Sequence, residues 1–260
     1  MSETATPKVG TKTACLLVIG NEILSGRTQD ANIRAVAVAL GAAGIRLDEV
    51  RVIPDVAETI ISTLNTCRAH FDMVLTTGGI GPTHDDITAP CVARAFGVPL
   101  ERHDETFRLL EATFAPGTFN TARQRMAMLP KGSIPIPNDV SAAPGFSIGN
   151  VHVMAGVPRI MRAMLRSLVP TLPGGAPLAM ASWHSDTLRE GDLADALSAV
   201  QDEFPALDLG SYPYERPDGR RGVALVAKGF DSEQVRRAGA RLRTVIEGLG
   251  AVPIEGEPPA

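Results

Sequence analysis

Apolar and polar positions come in blocks along the first two thirds of the chain, and the period changes from block to block. Thr13 to Ile19 is an apolar run that reads as a buried strand. Asp30 to Ala43 carries Ile33, Val36, Ala37 and Leu40 at helical spacing and ends before Gly44. Arg46 to Ile53 reads as a second strand and Val56 to His70 as a second helix with Ile60, Ile61 and Leu64 on one face. Met73 to Thr76 is the third strand. Farther on, Val151 to Met154 makes a short strand, and Pro158 to Val169 a helix with Met161, Met164, Leu165 and Leu168 along it. This βαβαβ order predicts an α/β fold of three layers, a mostly parallel central sheet with helices on both faces.

The pattern breaks at Pro170 to Pro177, where three prolines and two glycines in eight residues cannot continue a helix or a central strand. Beyond it, Leu178 to Trp183, Leu207 to Tyr212 and Gly222 to Lys228 read as strands, and Glu190 to Phe204 and Ser232 to Leu249 as helices. The expected organisation is therefore a disordered start over 1–13, an α/β domain over 14–170 and a linker over 171–177. A small α+β domain over 178–254 and a disordered tail over 255–260 complete it.

Composition adds exclusions more than assignments. Of the 260 residues 44% are hydrophobic but only 4% aromatic, which points to a core rich in alanine and valine. The net charge of -4 gives no electrostatic reason to expect nucleic acid or an anionic membrane as partner. Apolar runs fall short of the ~20 residues a membrane helix needs. Ser2 to Thr13 is small and polar, unlike a signal peptide, so a cytoplasmic location is expected. Cys15, Cys67 and Cys91 are odd in number and widely spaced, which fits buried reduced thiols rather than a zinc site or a disulfide framework.

The chemistry concentrates in Thr76-Thr77-Gly78-Gly79-Ile80-Gly81-Pro82-Thr83-His84-Asp85-Asp86-Ile87-Thr88. It joins a strand end, three glycines, two carboxylates and a helix start, with Thr88 read as the N-cap and Pro90 as a first-turn proline. Glycines at such a junction let backbone N–H groups approach a phosphate, and the helix macrodipole favours negative charge there. In an open parallel sheet the ligand crevice lies beyond the carboxyl ends of the strands. Asn21 and Glu22 follow strand one, Asp55 follows strand two, and Gly156 follows the late strand, so four distant segments point to one crevice. The glycines suit a phosphate, but Glu22, Asp55, Asp85 and Asp86 bring no positive charge to balance it. A Mg-like divalent cation is the natural complement.

Plainer readings compete at each position. The glycines could close a tight turn, Asp85 and Asp86 could serve the helix N-terminus, and Asp55 could be a turn or cap residue. Glu22 could be surface, and His84 a solvated partner of the aspartates. Arg123, Arg125 and Lys131 could reach phosphate or form a solvated helix face.

The same loop resembles the signature of the MoaB/Mog-type molybdopterin-binding domain, the module that also forms the N-terminal part of CinA and of two-domain FAD synthases. Gly20 to Asn32 looks like the family's first motif, Val52-Ile53-Pro54-Asp55 its second, and Ala155-Gly156-Val157-Pro158 its late loop, with Ala155 where proline is usual. The patterns Asn120 to Pro130 and Asn138 to Phe146 are similar to the CinA-like subgroup. The resemblance covers about residues 14 to 170, and in related proteins a small domain comparable to 178–254 follows. Nothing in the sequence resembles the deamidase domain of full-length CinA or the adenylyl-transferring domain of FAD synthases, so those activities are not assigned.

The resemblance implies a phosphorylated pterin or nucleotide as ligand, bound by Asn21, Glu22, Thr77, Gly78, Gly79, Gly81, Pro82, Thr83, Asp85, Gly156 and Pro158. In an enzyme it implies hydrolysis of a nucleotide diphosphate such as ADP-ribose or FAD. Asp55 and Asp86 would then be catalytic, with a divalent cation (Mg, Mn or Co) on Asp85 and Asp86. A non-catalytic binding module and a molybdopterin adenylyltransferase are the alternatives. Family members commonly associate, so a homo-oligomer is expected.

Overall fold

Strand β1 (Lys12–Ile19) divides its side chains between two cores: Ala14, Leu16 and Val18 face one, and Cys15, Leu17 and Ile19 face the other. Burial on both faces explains why the run has no polar alternation. The computed structural model describes residues 11–216 and 219–258. Thr11–Gly175 form one compact unit, and the chain from Ala176 on belongs to a second.

In the first unit β1 leads through the single turn α1 (Asn21–Leu24) and α2 (Ile33–Ala42) to β2 (Ile45–Ile53). Then come α3 (Ala57–His70), β3 (Met73–Thr77), α4 (Thr88–Phe96), β4 (Leu100–Arg102), α5 (Asp104–Thr113) and α6 (Thr121–Gln124). Strands β5 (Met128–Pro130), β6 (Ile134–Ile136), β7 (Gly145–Ile148) and β8 (Val151–Met154) precede α7 (Pro158–Leu168). The main sheet runs β2-β1-β3-β8-β7-β6, and β4 pairs with β5 separately. β2, β1, β3 and β8 are parallel, while β7 and β6 return antiparallel. Residues of α2 and α7 pack into the core on one face, and those of α3 and α4 into the core on the other. This is the expected three-layer, mostly parallel architecture.

The second unit is an antiparallel sheet ordered β10-β11-β9-β12 with two helices. Its elements are β9 (Ala179–Ser185), α8 (Ala194–Glu203), β10 (Asp208–Glu215), β11 (Arg221–Gly229), α9 (Ser232–Gly248) and β12 (Ile254–Glu255). Leu193, Val200, Leu225, Val235, Leu242 and Ile246 build its own core. Among the described residues no helix is long and apolar enough to cross a membrane.

Several sequence expectations need correction. The helix expected from Asp30 starts at Ile33, because the Asp30 carboxylate accepts the N–H groups of Asn32 and Ile33 at 3.0 and 2.8 Å and forms a turn ahead of it. Glu190–Asp192 is a separate 3-10 turn before α8, closed by Asp192 accepting the Arg189 N–H. Lys12 and Thr13 are strand, not disordered start; residues 1–10 lie outside the described ones. Glu255, assigned to the tail, pairs with β9 opposite Trp183, and the Gly256 N–H donates to the Ser182 carbonyl. Residues 259–260 lie outside the described ones. All three cysteines are buried free thiols, with Cys15 and Cys67 Sγ atoms 3.7 Å apart.

Candidate functional site

A cavity of about 530 Å³ opens at the carboxyl ends of the parallel strands. Gly20 and Glu22 line it from the end of β1, Asp55 from the end of β2, and Ala155 to Pro158 from the end of β8. Gly78 to Pro82 with Asp85 and Asp86 form the side beyond β3. The four segments expected to meet do meet. Asn21, Thr77 and Thr83 do not line this cavity.

The glycines are required first by the fold. Gly78 has φ +104 and lies against the Ile19 carbonyl, and Gly79 has φ +68 and lies against the Thr88 hydroxyl, so a Cβ at either position would collide. Gly156 approaches closely too, with the place of its absent Cβ 3.2 Å from the Gly78 Cα. Thr88 does not cap α4, as its side chain was expected to. It is the first helical residue, buried, and its hydroxyl donates to the Gly78 carbonyl at 3.0 Å while its N–H donates to the Gly79 carbonyl at 3.0 Å. Helix and loop are thereby fastened together. Ala155 in place of proline has a local consequence: its N–H donates to the Met164 sulfur at 3.3 Å, a bond proline cannot make.

Two carboxylates converge on one hydroxyl. Thr83 Oγ1 lies 2.5 Å from Asp85 Oδ1 and 2.6 Å from Asp86 Oδ2, and the Thr83 N–H also donates to Asp86 Oδ2 at 2.7 Å. A hydroxyl has one proton, so it can satisfy only one of those acceptors fully at a time. The Thr83 hydroxyl, followed by the Asp85 backbone N–H, holds the Asp85 carboxyl below the usual carboxylate range. Asp55 Oδ2 accepts the Asn21 N–H at 2.8 Å, tying the end of β2 to α1; it does not cap α3, which has no side-chain cap. The Glu22 carboxylate folds back over Gly20, where a Cβ would sit 2.6 Å from both oxygens. His84 is 96% exposed, 3.8 Å from Asp85, in keeping with the solvated reading.

Among the described residues no group of three or more His, Cys, Asp or Glu is placed to hold a metal. The donor set does fit an ion that brings ligands with it: two carboxylate oxygens and a hydroxyl oxygen beside bared backbone suit Mg²⁺, which is commonly held by one or two carboxylates plus substrate phosphates.

Other wall residues come from the segment with the weakest pattern. Met126, Ser141 and Ala143 line the cavity as well. Asn138 shapes their loop, accepting the Val140 and Ser141 N–H groups and donating to the Ala143 carbonyl. Arg125 donates to the Pro82 and Thr83 carbonyls at 2.6 and 3.2 Å, so it clamps the loop from behind. Arg123 lies over the Phe114 ring and Lys131 pairs with Glu101. On the far side of Gly79 to Gly81 lies a second, mostly apolar chamber of about 260 Å³, walled by Ile87, Pro90, Met128, Leu129 and Phe146 together with His84, Asp86 and Arg125. The Asn120 and Asn138 patterns were the sequence signals for this region.

Two family models match the chain. One, described as a probable molybdopterin binding domain, covers residues 15–174, and one described as the FAD synthase middle domain covers 185–254. A protein of Pyrococcus furiosus is 33% identical over 239 residues, 86% of this chain and 92% of its own length. A CinA-like protein of Citrifermentans bemidjiense is 40% identical over 191 residues, 71% of this chain and 45% of its own length. The crystal structure of CinA from Thermoplasma acidophilum superposes with a TM-score of 0.59 at 29% identity, covering 62% of this chain and 98% of that one. The chain spans about half the length of the CinA-like relatives it matches.

Proposed function

The chain belongs to the molybdopterin-binding-domain family, with CinA-like proteins among its relatives, and from that premise we propose that its crevice binds a phosphorylated nucleotide or pterin together with a divalent cation and hydrolyses a nucleotide diphosphate such as ADP-ribose or FAD. The observation that carries this reading is the convergence of Asp85 and Asp86 on Thr83 beside the Gly79 to Gly81 backbone. Two anionic oxygens crowded on one proton are relieved by a cation, and the neighbouring backbone offers the phosphate its place.

A cation held there would neutralise phosphate oxygens and polarise the phosphorus. The chain's own residues supply the rest. Gly81 has no positive φ and faces both chambers, so it presents backbone to the ligand. Asp55 spends Oδ2 on Asn21 and orients water with Oδ1. Water adds to phosphorus and gives its proton to Asp55 Oδ1, which passes it to solvent, while the phosphoric anhydride P–O bond breaks and the departing phosphate ester takes the electron pair. The apolar chamber behind the loop has the size and lining for a planar ring.

A binding module without turnover is the second reading, and the structural employment of Asp86 by Thr83 favours it. In either case a homo-oligomer is expected. The purified chain is incubated with ADP-ribose, FAD, or ATP plus molybdopterin, with Mg, Mn or Co. AMP released from the first two supports hydrolysis, adenylylated pterin points to the transferase, and binding without product leaves the module. Absence of both binding and product contradicts the reading.

A further inference from the structure

β2 is an outer strand of the main sheet, and its free edge is long. An outer strand leaves a row of N–H and C=O groups that a further strand can pair with, so folds blunt such edges with proline or keep them very short. The other outer strands among the described residues are blunted in this way. β6 is three residues with Pro135 in the middle, β10 carries Pro213, β12 is two residues, and β4 and β5 are three residues each. β2 has nine residues and no proline. It carries one bulge: Ala14 pairs with Leu47 but Cys15 with Glu49, which leaves Asp48 over, and regular pairing resumes at Glu49.

The side to which each backbone group of β2 turns follows from one bond. The Ile53 carbonyl accepts the Gly20 N–H at 3.1 Å, so Ile53 turns its backbone toward β1. Successive residues of a strand alternate, and Arg51 and Glu49 therefore also face β1 while Val52 and Val50 present N–H and C=O outward. Both valine side chains are exposed. The charges along the strand balance. Arg46 pairs with Asp48, and Arg51 with Glu49 through Nε to Oε1 at 2.6 Å and Nη2 to Oε2 at 3.2 Å. With two charges of each sign, the edge does not repel a second copy of itself.

Two antiparallel copies of one strand are related by a two-fold axis, and directly opposed residues must both turn their backbones toward the other copy or both away from it. An axis at Val50 meets this condition, with Val50 opposite Val50 of the second copy in a hydrogen-bonded pair. It sets Glu49 opposite Arg51 of the second copy, twice, in the closer non-hydrogen-bonded pairs. The adjacent allowed axes, at Glu49 or at Arg51, set two carboxylates or two guanidinium groups face to face, which is unfavourable. Charge thus selects one register. We infer that the β2 edge is a homodimer interface, at which two copies of the chain join their sheets antiparallel about Val50. This rests on the expectation of a homo-oligomer and on nothing assumed about the ligand.

The test is analytical ultracentrifugation of the full chain over a dilution series, with circular dichroism to follow folding, on wild type, Glu49→Arg, Arg51→Glu, the double exchange and Val50→Pro. Each single exchange turns both attractive cross-strand pairs into repulsive ones, and the double exchange restores them with the signs reversed. Proline at position 50 removes an outward N–H that β1 does not use. Wild type is expected to dimerise, each single exchange to raise the dissociation constant at least about ten-fold, and the double exchange to return it near the wild-type value. Val50→Pro is expected to weaken the dimer too, and the charge exchanges decide alone where it fails to fold. A dimer that the single exchanges leave as tight as wild type would overturn this interface while assembly stands. So would a double exchange as weak as the single ones, or a wild-type trimer, which a two-fold pair cannot build. A wild-type monomer would overturn both the interface and the expected assembly. None of these outcomes bears on the crevice's ligand, which is judged by its own titration.

Discussion

Thr83 holds Asp85 and Asp86 in one place, and this fixes what a change at Asp86 should do. Asp86→Asn keeps an oxygen for the Thr83 N–H, so its cost in urea denaturation is expected to stay below ~1 kcal/mol. The lost charge at a cation-bearing phosphate is expected to lower turnover roughly 100-fold, ~3 kcal/mol, at saturating metal and substrate. Near-wild-type turnover would reduce Asp86 to a loop residue. His152 carries a separate expectation. Burial pushes its imidazole down to about 4, with Ser147 Oγ 2.9 Å from Nδ1. Between pH ~6.5 and ~4 the unfolded chain binds a proton that the folded chain refuses, so stability falls as pH falls through that window by about 3 kcal/mol. Denaturation at pH 7 and pH 4.5 should show this loss in wild type and a shallower one in His152→Gln. At this scale Glu22, Asp55, Gly81, Asp85 and Asp86 were legible, because each follows a strand end with a recognisable pattern. The contacts that Asn32 and Arg125 make were not. Their partners, Gly156 and Pro82, lie 124 and 43 residues away, and no local period reports such contacts.

The junction of β3 with α4 works as one element, since its loop glycines are packed against β1 and the first residue of the helix. Gly79→Ala is expected to cost at least ~2 kcal/mol, from positive φ plus the collision with the Thr88 hydroxyl. Thr88→Ala should cost ~1–3 kcal/mol by leaving the Gly78 carbonyl unsatisfied. Because Thr88→Ala also removes the colliding atom, the double variant should be less destabilised than the sum, and additive denaturation energies would contradict this packing. Elements buried on both faces, such as β1 and β3, were legible as apolar runs. Residues 97–150 were left largely unassigned because β4, β5 and β6 are three residues each, two of them containing proline, and α5 buries only Thr106 and Leu110. Such pieces show no period long enough to read.

For the whole molecule the expectations concern independence, assembly and ligand. Each unit has its own core, so a fragment spanning Thr11–Gly175 is expected to melt cooperatively and keep the crevice's ligand affinity; a fragment that stays unfolded would contradict this. Light scattering is expected to give a mass that is a multiple of 27.4 kDa, and a monomer at micromolar concentration would count against assembly. The central claim, that the crevice takes a phosphorylated ligand and that the cation arrives with it, is tested most directly by titrating Mg²⁺ into the protein with and without ADP. Without ADP the expected heat is that of dilution, since no protein-only cage exists among the described residues. With ADP bound, Mg²⁺ should tighten ADP at least about ten-fold, and Asp86→Asn should abolish the gain. Tight Mg²⁺ binding by the protein alone, or ADP affinity indifferent to Mg²⁺, would contradict it.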